Sequence, residues 1–322
     1  MSYPVNKPAA VIDKSLLHAI CEQNSENRNA SFRALFDHYH IVVSLVLIEE
    51  IWANLASPTA KTPPDVLANM KDFLISLHHS WIAEPLEISF LELVKGESIK
   101  PLPRPAASLV HSFSILPPND PLLVKWMEDR ASQRKTNIRH RVEMFAAIQE
   151  TDQFESVENG RDFFERFIRG RFVEMLSDPV RKRDLLEREL GLAFRGTHPE
   201  WSKEIDEAFS SYSKETFADF QATLMCLIAG MFYFYAPLCK LVSRDNGNRP
   251  LKILGRGFRD QFNNLADQRY VQSALLCDRL LTRDEEMHNV MELLRDSGFW
   301  DGVSVFIDPK EDVGIQIPRD LL

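Results

Sequence analysis

The sequence predicts an α/β protein with a parallel sheet, and two short stretches at opposite ends of the chain carry this prediction. Each is a brief apolar run that leads into an acidic residue and then into a helix start. The first is Ala9-Ala-Val-Ile-Asp13, and the second is Leu280-Leu-Thr282 with Asp284 just beyond it. Strands that alternate with helices are typical of a parallel sheet with helices on both faces.

The second strand follows a helix that we predict from its apolar spacing. One helical face of this segment contains Tyr270, Val271, Ala274 and Leu275. Asn264 with Asp267 three residues later resembles a capping box, which places the helix start there. After the strand, the helical period resumes at Met287, Val290, Met291 and Leu294. The order is therefore helix, strand, helix, and Asp267 can reach the edge where the strand ends.

Acidic residues fall where such a sheet places its ligands. In open α/β sheets, ligands bind outside the carboxyl ends of the strands, and Asp13 and Asp284 follow the two predicted strands. A third apolar run, residues 41–48, ends in Glu49 and Glu50. For each acid alone, a helix cap or a solvent-facing role is the more frequent explanation. Their shared order along the chain is what indicates a common site.

At this point the sequence resembles the PIN-domain nucleases, metal-dependent and mostly RNA-cutting enzymes that include many bacterial toxin-antitoxin toxins. The matching motifs are Val11-Ile-Asp13-Lys-Ser15, Val43-Ser44 with Glu50 six residues on, Asp267, Thr282-Arg-Asp284, and the tail Gly302-Val-Ser-Val-Phe-Ile-Asp308. The resemblance covers roughly the first fifty-five and the last seventy residues, under half the chain. It implies a PIN-like core formed by residues 1–56 and 250–322, with a mostly helical insertion at 57–249.

The resemblance also implies a metal site. Four carboxylates match the family's ligands for one or two divalent ions: Asp13, Glu50, Asp267 and Asp284. Glu50 is preferred over Glu49 because the family step counts six residues from Ser44. Clustered carboxylates need a cation, and their oxygens suit Mg²⁺ or Mn²⁺. Thr282 and Asn264 would orient ligands or bound water, and a metal-bound hydroxide would cleave RNA without a protein nucleophile.

Substrate phosphates are expected to meet a basic segment just before this site. Lys252, Arg256 and Arg259 lead directly into the motif that starts at Asn263. A second basic patch, around residues 130–141, fits either phosphates or a solvated helix face. The net charge of −9 counts against a broad, non-specific nucleic-acid binder.

Composition indicates an ordinary globular protein. Of the 322 residues, 44% are hydrophobic and 26% are charged. The four cysteines lack metal-type spacing and are expected to be reduced thiols: Cys21, Cys226, Cys239 and Cys277. No apolar targeting segment opens the chain, so a cytoplasmic location is expected. We interpret the uncharged run 222–239 as a buried helix rather than a membrane span, because Gly230 and Pro237 interrupt it.

Between the two ends, several helices are predicted. We expect residues 19–28 to be a helix end and loop, with a helix starting at Ser31. A second amphipathic helix is predicted from Val66, Met70, Phe73, Leu74 and Leu77.

Two other functions stay open. The protein could be a non-catalytic PIN-like interaction protein whose helical insertion binds a protein partner, or a DNA-directed nuclease with the same metal site. No feature of the sequence reads the 2′-hydroxyl, so single-stranded RNA is expected from the resemblance alone. The long insertion departs from the compact toxin members, and the oligomeric state is left open.

Overall fold

The computed structural model describes residues 7–56, 61–77, 81–82, 104–105, 202–211, 266–296 and 300–307, with isolated positions between 120 and 195. The chain divides into two compact units. The first unit contains residues 1–84, 101–129 and 269–322, and the second contains 85–100 and 130–268. Residues just beyond the predicted boundary at 56, including a helix and two short strands, also belong to the first unit.

Among the described residues, six strands form one sheet. They are β1 (Ala9–Ile12), β2 (His40–Val43), β3 (Trp81–Ile82), β4 (Arg104–Pro105), β5 (Arg279–Thr282) and β6 (Val303–Phe306). The described helices are α1 (Lys14–Cys21), α2 (Ser25–His38), α3 (Leu45–Ala56), α4 (Pro64–Ser76), α5 (Ser202–Ser211), α6 (helical residues 266–274) and α7 (Glu285–Asp296). The helix α5 lies in the second unit.

The sheet confirms the predicted α/β class with parallel strands. Its order is β4-β3-β2-β1-β5-β6, and the four longer strands β2, β1, β5 and β6 are all parallel. The short β3 continues the parallel arrangement, and only β4 at the edge is antiparallel. In the centre, Val11 lies between Val42 and Leu280 in register.

The order of the strands creates a switch point between β1 and β5. From β1 the chain moves to β2 on one side, whereas β5 lies on the other side of β1 and leads outward to β6. In open α/β sheets, the crevice at the carboxyl ends of the two strands that flank such a point is the usual ligand site. The residues that follow Ile12 and Thr282 therefore lie where this fold class usually places its ligand site.

The central strands are buried on both faces. All four residues of β1 are buried, and Val11 and Leu280 are fully inaccessible to solvent. Successive strand residues point to opposite faces, so complete burial requires cover on both sides, as parallel sheets usually have. This burial on both faces explains why the two strands appear as uninterrupted apolar runs in the sequence.

One local prediction was wrong, and one apolar run divides into two elements. Helix α2 begins at Ser25, not at Ser31, because the side chain of Asn24 accepts a hydrogen bond from the backbone N–H of Asn27 at 2.9 Å and caps it. Its first turns are largely exposed, so no apolar period marks them. The run 41–48 is also divided, since β2 ends at Val43 and α3 begins at Leu45. A fully buried strand and a fully buried helix both appear as uninterrupted apolar runs, so the sequence does not separate them.

Other predicted elements are confirmed. The amphipathic segment after residue 63 is α4, and it buries Val66, Met70, Phe73 and Leu74. The predicted helix after Asp284 is α7, which packs against β5 and β6. The tail strand is β6. No helix in the described part of the chain is both long and apolar enough to cross a membrane, and the run 222–239 lies outside the described residues.

We expect Gly302→Ala to destabilise the first unit. A Cβ at Gly302 would lie 2.5 Å from the carbonyl oxygen of Asp278 and even closer to the indole of Trp300. That indole is held by a 3.0 Å hydrogen bond from its Nε1 to the carbonyl oxygen of Cys277, so it cannot move freely. Overpacking of this kind costs about 1–3 kcal/mol.

Urea unfolding followed through hydrogen exchange of the β5 and β6 peptides measures this cost. The matched control is Gly191→Ala, where the nearest atoms lie at 3.6 Å, an ordinary contact distance. Equal stability of the Gly302 variant and the wild type would contradict the prediction.

Candidate functional site

Asp13 stands at the carboxyl end of β1 and is almost completely buried, with 2% of its surface exposed. Its Oδ1 accepts a hydrogen bond from the backbone N–H of Leu16 at 2.8 Å and so caps α1. Its Oδ2 accepts hydrogen bonds from the hydroxyls of Ser15 at 2.5 Å and Thr282 at 2.8 Å. The carboxylate is therefore held rigidly by three donors.

Asp284 lies at the carboxyl end of the neighbouring strand β5 and is connected to Asp13. Its backbone N–H donates to the Thr282 hydroxyl at 2.9 Å, and that same hydroxyl donates to Asp13. Its Oδ1 accepts from the backbone N–H of Met287 at 2.8 Å. The structure thus brings Asp13, Thr282 and Asp284 together at the switch point of the sheet.

The buried carboxyl of Asp13 is electrostatically costly. Burial raises its pKa from 3.8 to about 6, and the negative charge of Asp284 adds to the rise, while the hydrogen bonds from Ser15, Leu16 and Thr282 oppose it. An Asn, Ser or Thr would cap the helix as well without carrying a charge. A carboxylate that is desolvated beside a second one is a candidate for a functional site.

The pKa of Asp13 predicts how metal-free stability depends on pH. The pKa of Asp13 is higher in the folded state than in the unfolded state, so the folded state holds the proton more tightly. Ionisation of Asp13 therefore lowers the stability of the protein as pH rises from about 4 to about 6. The expected loss is on the order of 3 kcal/mol. Asp13→Asn removes this component, because the amide keeps the cap and both hydroxyls can reverse to accept.

Hydrogen exchange of the β1 peptide, measured with a chelator present between about pH 4 and pH 8, compares the two proteins. The stability of the variant relative to wild type should grow up to about pH 6 and then stay constant. A difference that does not change with pH would show that Asp13 titrates normally.

Glu50 lies on α3, one residue after a glutamate with a different environment. Its Oε2 accepts a hydrogen bond from the hydroxyl of Tyr270 at 2.8 Å, and its Oε1 lies 3.7 Å from the ammonium of Lys14. Glu49 is 1% exposed, and both of its oxygens accept from the guanidinium of Arg269 at 2.9 and 3.0 Å. Of the two glutamates, Glu50 is the one in contact with the residue that follows Asp13.

The other predicted site residues lie in the second unit or outside the described part of the chain. Asp267 is half-buried within α6 and belongs to the second unit, so its role as a ligand stays a prediction. Four residues lie outside the described part of the chain: Lys252, Arg256, Arg259 and Asn264. Their roles in contacting phosphate, or in orienting a ligand, also stay predictions.

The carboxylate oxygens at this edge suit a hard cation. Carboxylates offer about four lone-pair positions, and Asp13 uses three with the described donors, which leaves one on Oδ1. Within the described residues, no group of three or more His, Cys, Asp or Glu side chains is arranged to hold a metal ion. Mg²⁺, however, commonly keeps several waters and binds through one or two carboxylates. Asp13 and Asp284 together meet that smaller requirement.

Sequence reasoning missed several residues of this neighbourhood. Lys14 and Ser15 are part of the motif that starts at Val11, but no role is predicted for them. A hydroxyl two residues after an aspartate is nevertheless a recognisable local hydrogen-bond signal. Tyr270 was assigned to an apolar helical face, and it is indeed buried, but its hydroxyl reaches Glu50. No sequence signal pairs residues that stand 220 positions apart.

Fold and site together define the first unit as an α/β sheet with a carboxylate pair at its topological switch point. Comparison of the chain with known protein families, with curated proteins and with solved structures found no match.

Proposed function

We propose that this protein is a PIN-like, Mg²⁺- or Mn²⁺-dependent phosphodiesterase that cleaves single-stranded RNA. The observation that carries the proposal is the pair Asp13 and Asp284, which follow the two strands at the switch point. The hydroxyl of Thr282 joins them, because it donates to the Asp13 carboxylate and accepts from the backbone N–H of Asp284. A buried carboxylate whose pKa is raised by its burial and by its neighbour is stabilised most by a cation. The order of the acidic motifs along the chain supports the same family.

In this proposal Asp13 and Asp284 hold the ion, and Glu50 is the further carboxylate of the first unit that the family resemblance adds. Ser15, Thr282 and the N–H of Leu16 keep Asp13 in one orientation, so the ligand is organised before the ion arrives. When bound, the ion activates water and neutralises charge on the phosphate under attack. Lys14 supplies a partly exposed ammonium beside the cluster that can contact a phosphate oxygen.

A rival function rests on a specific observation at the same residues. Both aspartates already act as helix caps, Asp13 for α1 and Asp284 through the N–H of Met287. A cap alone would suffice for a non-catalytic interaction protein with a vestigial acidic edge. The two functions differ in whether the folded protein binds a divalent ion.

Calorimetry with Mn²⁺ and cleavage of labelled single-stranded RNA test the proposal together. We expect saturable binding at pH 7.5 and cleavage that requires Mn²⁺ or Mg²⁺ and stops with a chelator. A parallel assay on single-stranded DNA of the same sequence distinguishes a DNA-directed nuclease. Absence of both Mn²⁺ binding and cleavage by the folded protein would reject the enzyme and leave the interaction protein.

A further inference from the structure

Arg283, which directly follows β5, has a guanidinium with no partner among the described residues. Its Nε is inaccessible to solvent, and within the described part of the chain this atom has no hydrogen-bond acceptor. No ion pair of the described residues includes this side chain either. A buried donor without an acceptor costs stability, and arginines removed from water are normally paired. An acceptor supplied by a ligand would remove this cost.

The backbone of Arg283 is fixed at the switch point of the sheet. The residue stands between Thr282 and Asp284, and the backbone N–H of Asp284 donates to the Thr282 hydroxyl at 2.9 Å. That hydroxyl in turn donates to the Asp13 carboxylate at 2.8 Å. Consecutive Cα atoms are about 3.8 Å apart, so the backbone of Arg283 borders the crevice where this fold class binds ligands.

The carboxylates next to Arg283 in the chain and across the strand pair take other donors. The described donors to Asp13 and Asp284 are hydroxyls and backbone N–H groups, and none of them is the guanidinium. Arg269 shows the contrasting case, because its guanidinium contacts both oxygens of Glu49. Arg283 is partly exposed and therefore stays open to an anion from outside the protein.

We infer that Arg283 binds a phosphate group of single-stranded RNA and so holds the strand at the acidic edge. The inference rests on the proposed function, because it assigns a substrate contact at that edge. Guanidinium donors match the geometry of phosphate oxygens and form strong, charge-assisted hydrogen bonds with them. Lys14, which follows Asp13 at the tip of β1, gives the neighbouring strand a partly exposed cation as well. Such cations let a polyanion approach an acidic edge.

Fluorescence anisotropy of a labelled single-stranded RNA, with a chelator present to stop metal-dependent cleavage, measures the contact. We expect Arg283→Gln to weaken RNA binding about 10- to 100-fold, which is the usual contribution of hydrogen bonds to charged groups. Loss of one phosphate contact should also reduce the slope of log affinity against log salt by about 0.7. Arg283→Lys keeps the charge and should restore most of this slope. Hydrogen exchange of the β5 peptide should stay unchanged, because the fold loses no described contact.

The matched control is Arg279→Gln, which removes the same charge at the opposite end of β5. There the guanidinium donates to the backbone carbonyl of Asp278 at 2.8 Å, and the RNA affinity of the variant should equal that of wild type. Equal losses in the two variants would overturn the inference, since net charge alone would then explain them.

The remaining outcomes separate this inference from the proposed function. If Arg283→Gln binds RNA with the affinity and salt slope of wild type, the inference fails, and Mn²⁺-dependent cleavage by wild type leaves the enzyme standing. RNA binding that depends on Arg283 in a protein without Mn²⁺ binding or cleavage would support the inference and reject the enzyme. If folded wild type binds no RNA, the inference is wrong whatever the Mn²⁺ result.

Discussion

Asp13→Asn and Asp284→Asn are each expected to lower Mn²⁺-dependent cleavage of single-stranded RNA at least about hundredfold, and to leave the fold intact. Loss of a ligand should cost at least as much as loss of a partner that only orients one, which is typically 10- to 100-fold. Asparagine has nearly the same shape and caps helices as well as aspartate does. The hydrogen bonds from Leu16 and Met287 can therefore persist in the variants.

Of the two variants, Asp13→Asn should make the protein more stable while it removes activity. At neutral pH the buried carboxylate is ionised, and its raised pKa means that this ionisation costs stability. A neutral amide removes that cost. Gain of stability with loss of function is the pattern expected when a strained, charged group serves a site rather than the fold.

Asp278→Asn is the matched control for both variants. Asp278 stands at the opposite end of the same strand β5, is exposed, and accepts the backbone N–H of Ala9 at 2.7 Å, which an amide oxygen can also do. Its cleavage rate should equal that of wild type. Full cleavage by both the Asp13 and Asp284 variants would reduce these residues to helix caps and would refute the proposed site.

The largest loss of stability is expected from Arg269→Met. This change leaves the carboxylate of Glu49 buried at 1% exposure and without its guanidinium, which contacted both oxygens. Removal of one partner of a buried ion pair costs about 3–5 kcal/mol, because the remaining charge stays desolvated. The first unit should consequently open much more often, which hydrogen exchange of the β1 and β5 peptides measures.

A second substitution tests the reason for that loss. Adding Glu49→Met to Arg269→Met removes the buried charge that has lost its guanidinium, and most of the lost stability should return. The control is Lys203→Met, which breaks an exposed pair with Glu207 on α5 and should change stability little. If Arg269→Met is as stable as wild type, the pair does not hold α3 to residues 269–274.

Much of the fold could be predicted because the buried strands are locally unambiguous. The runs before Asp13 and Asp284 are apolar, short and followed by helix starts, and both became parallel strands. Predictions were wrong or silent where local pattern carries no information. The exposed start of α2 has no apolar period, and the buried run 41–48 looks alike as strand or helix.

Within the site, the acidic tips could be located from sequence, but their partners could not. Sequence analysis placed Ser15 in a motif and Tyr270 on an apolar helical face. The contact of Ser15 with Asp13 is local, whereas Tyr270 and Arg269 meet Glu50 and Glu49 only where the folded chain brings distant residues together. Hydrogen bonds of this kind leave no periodic trace.

The amino-acid sequence by itself determined that two apolar strands end in Asp13 and Asp284, because burial and helix-start chemistry act over a few neighbouring residues. Only the tertiary structure decided that β1 and β5 lie side by side, that Thr282 joins their two aspartates, and that Glu50 faces Tyr270 while Glu49 faces Arg269. Strand order and side-chain pairing are set by packing across more than 200 positions of chain, and that packing exists only once the whole unit has formed.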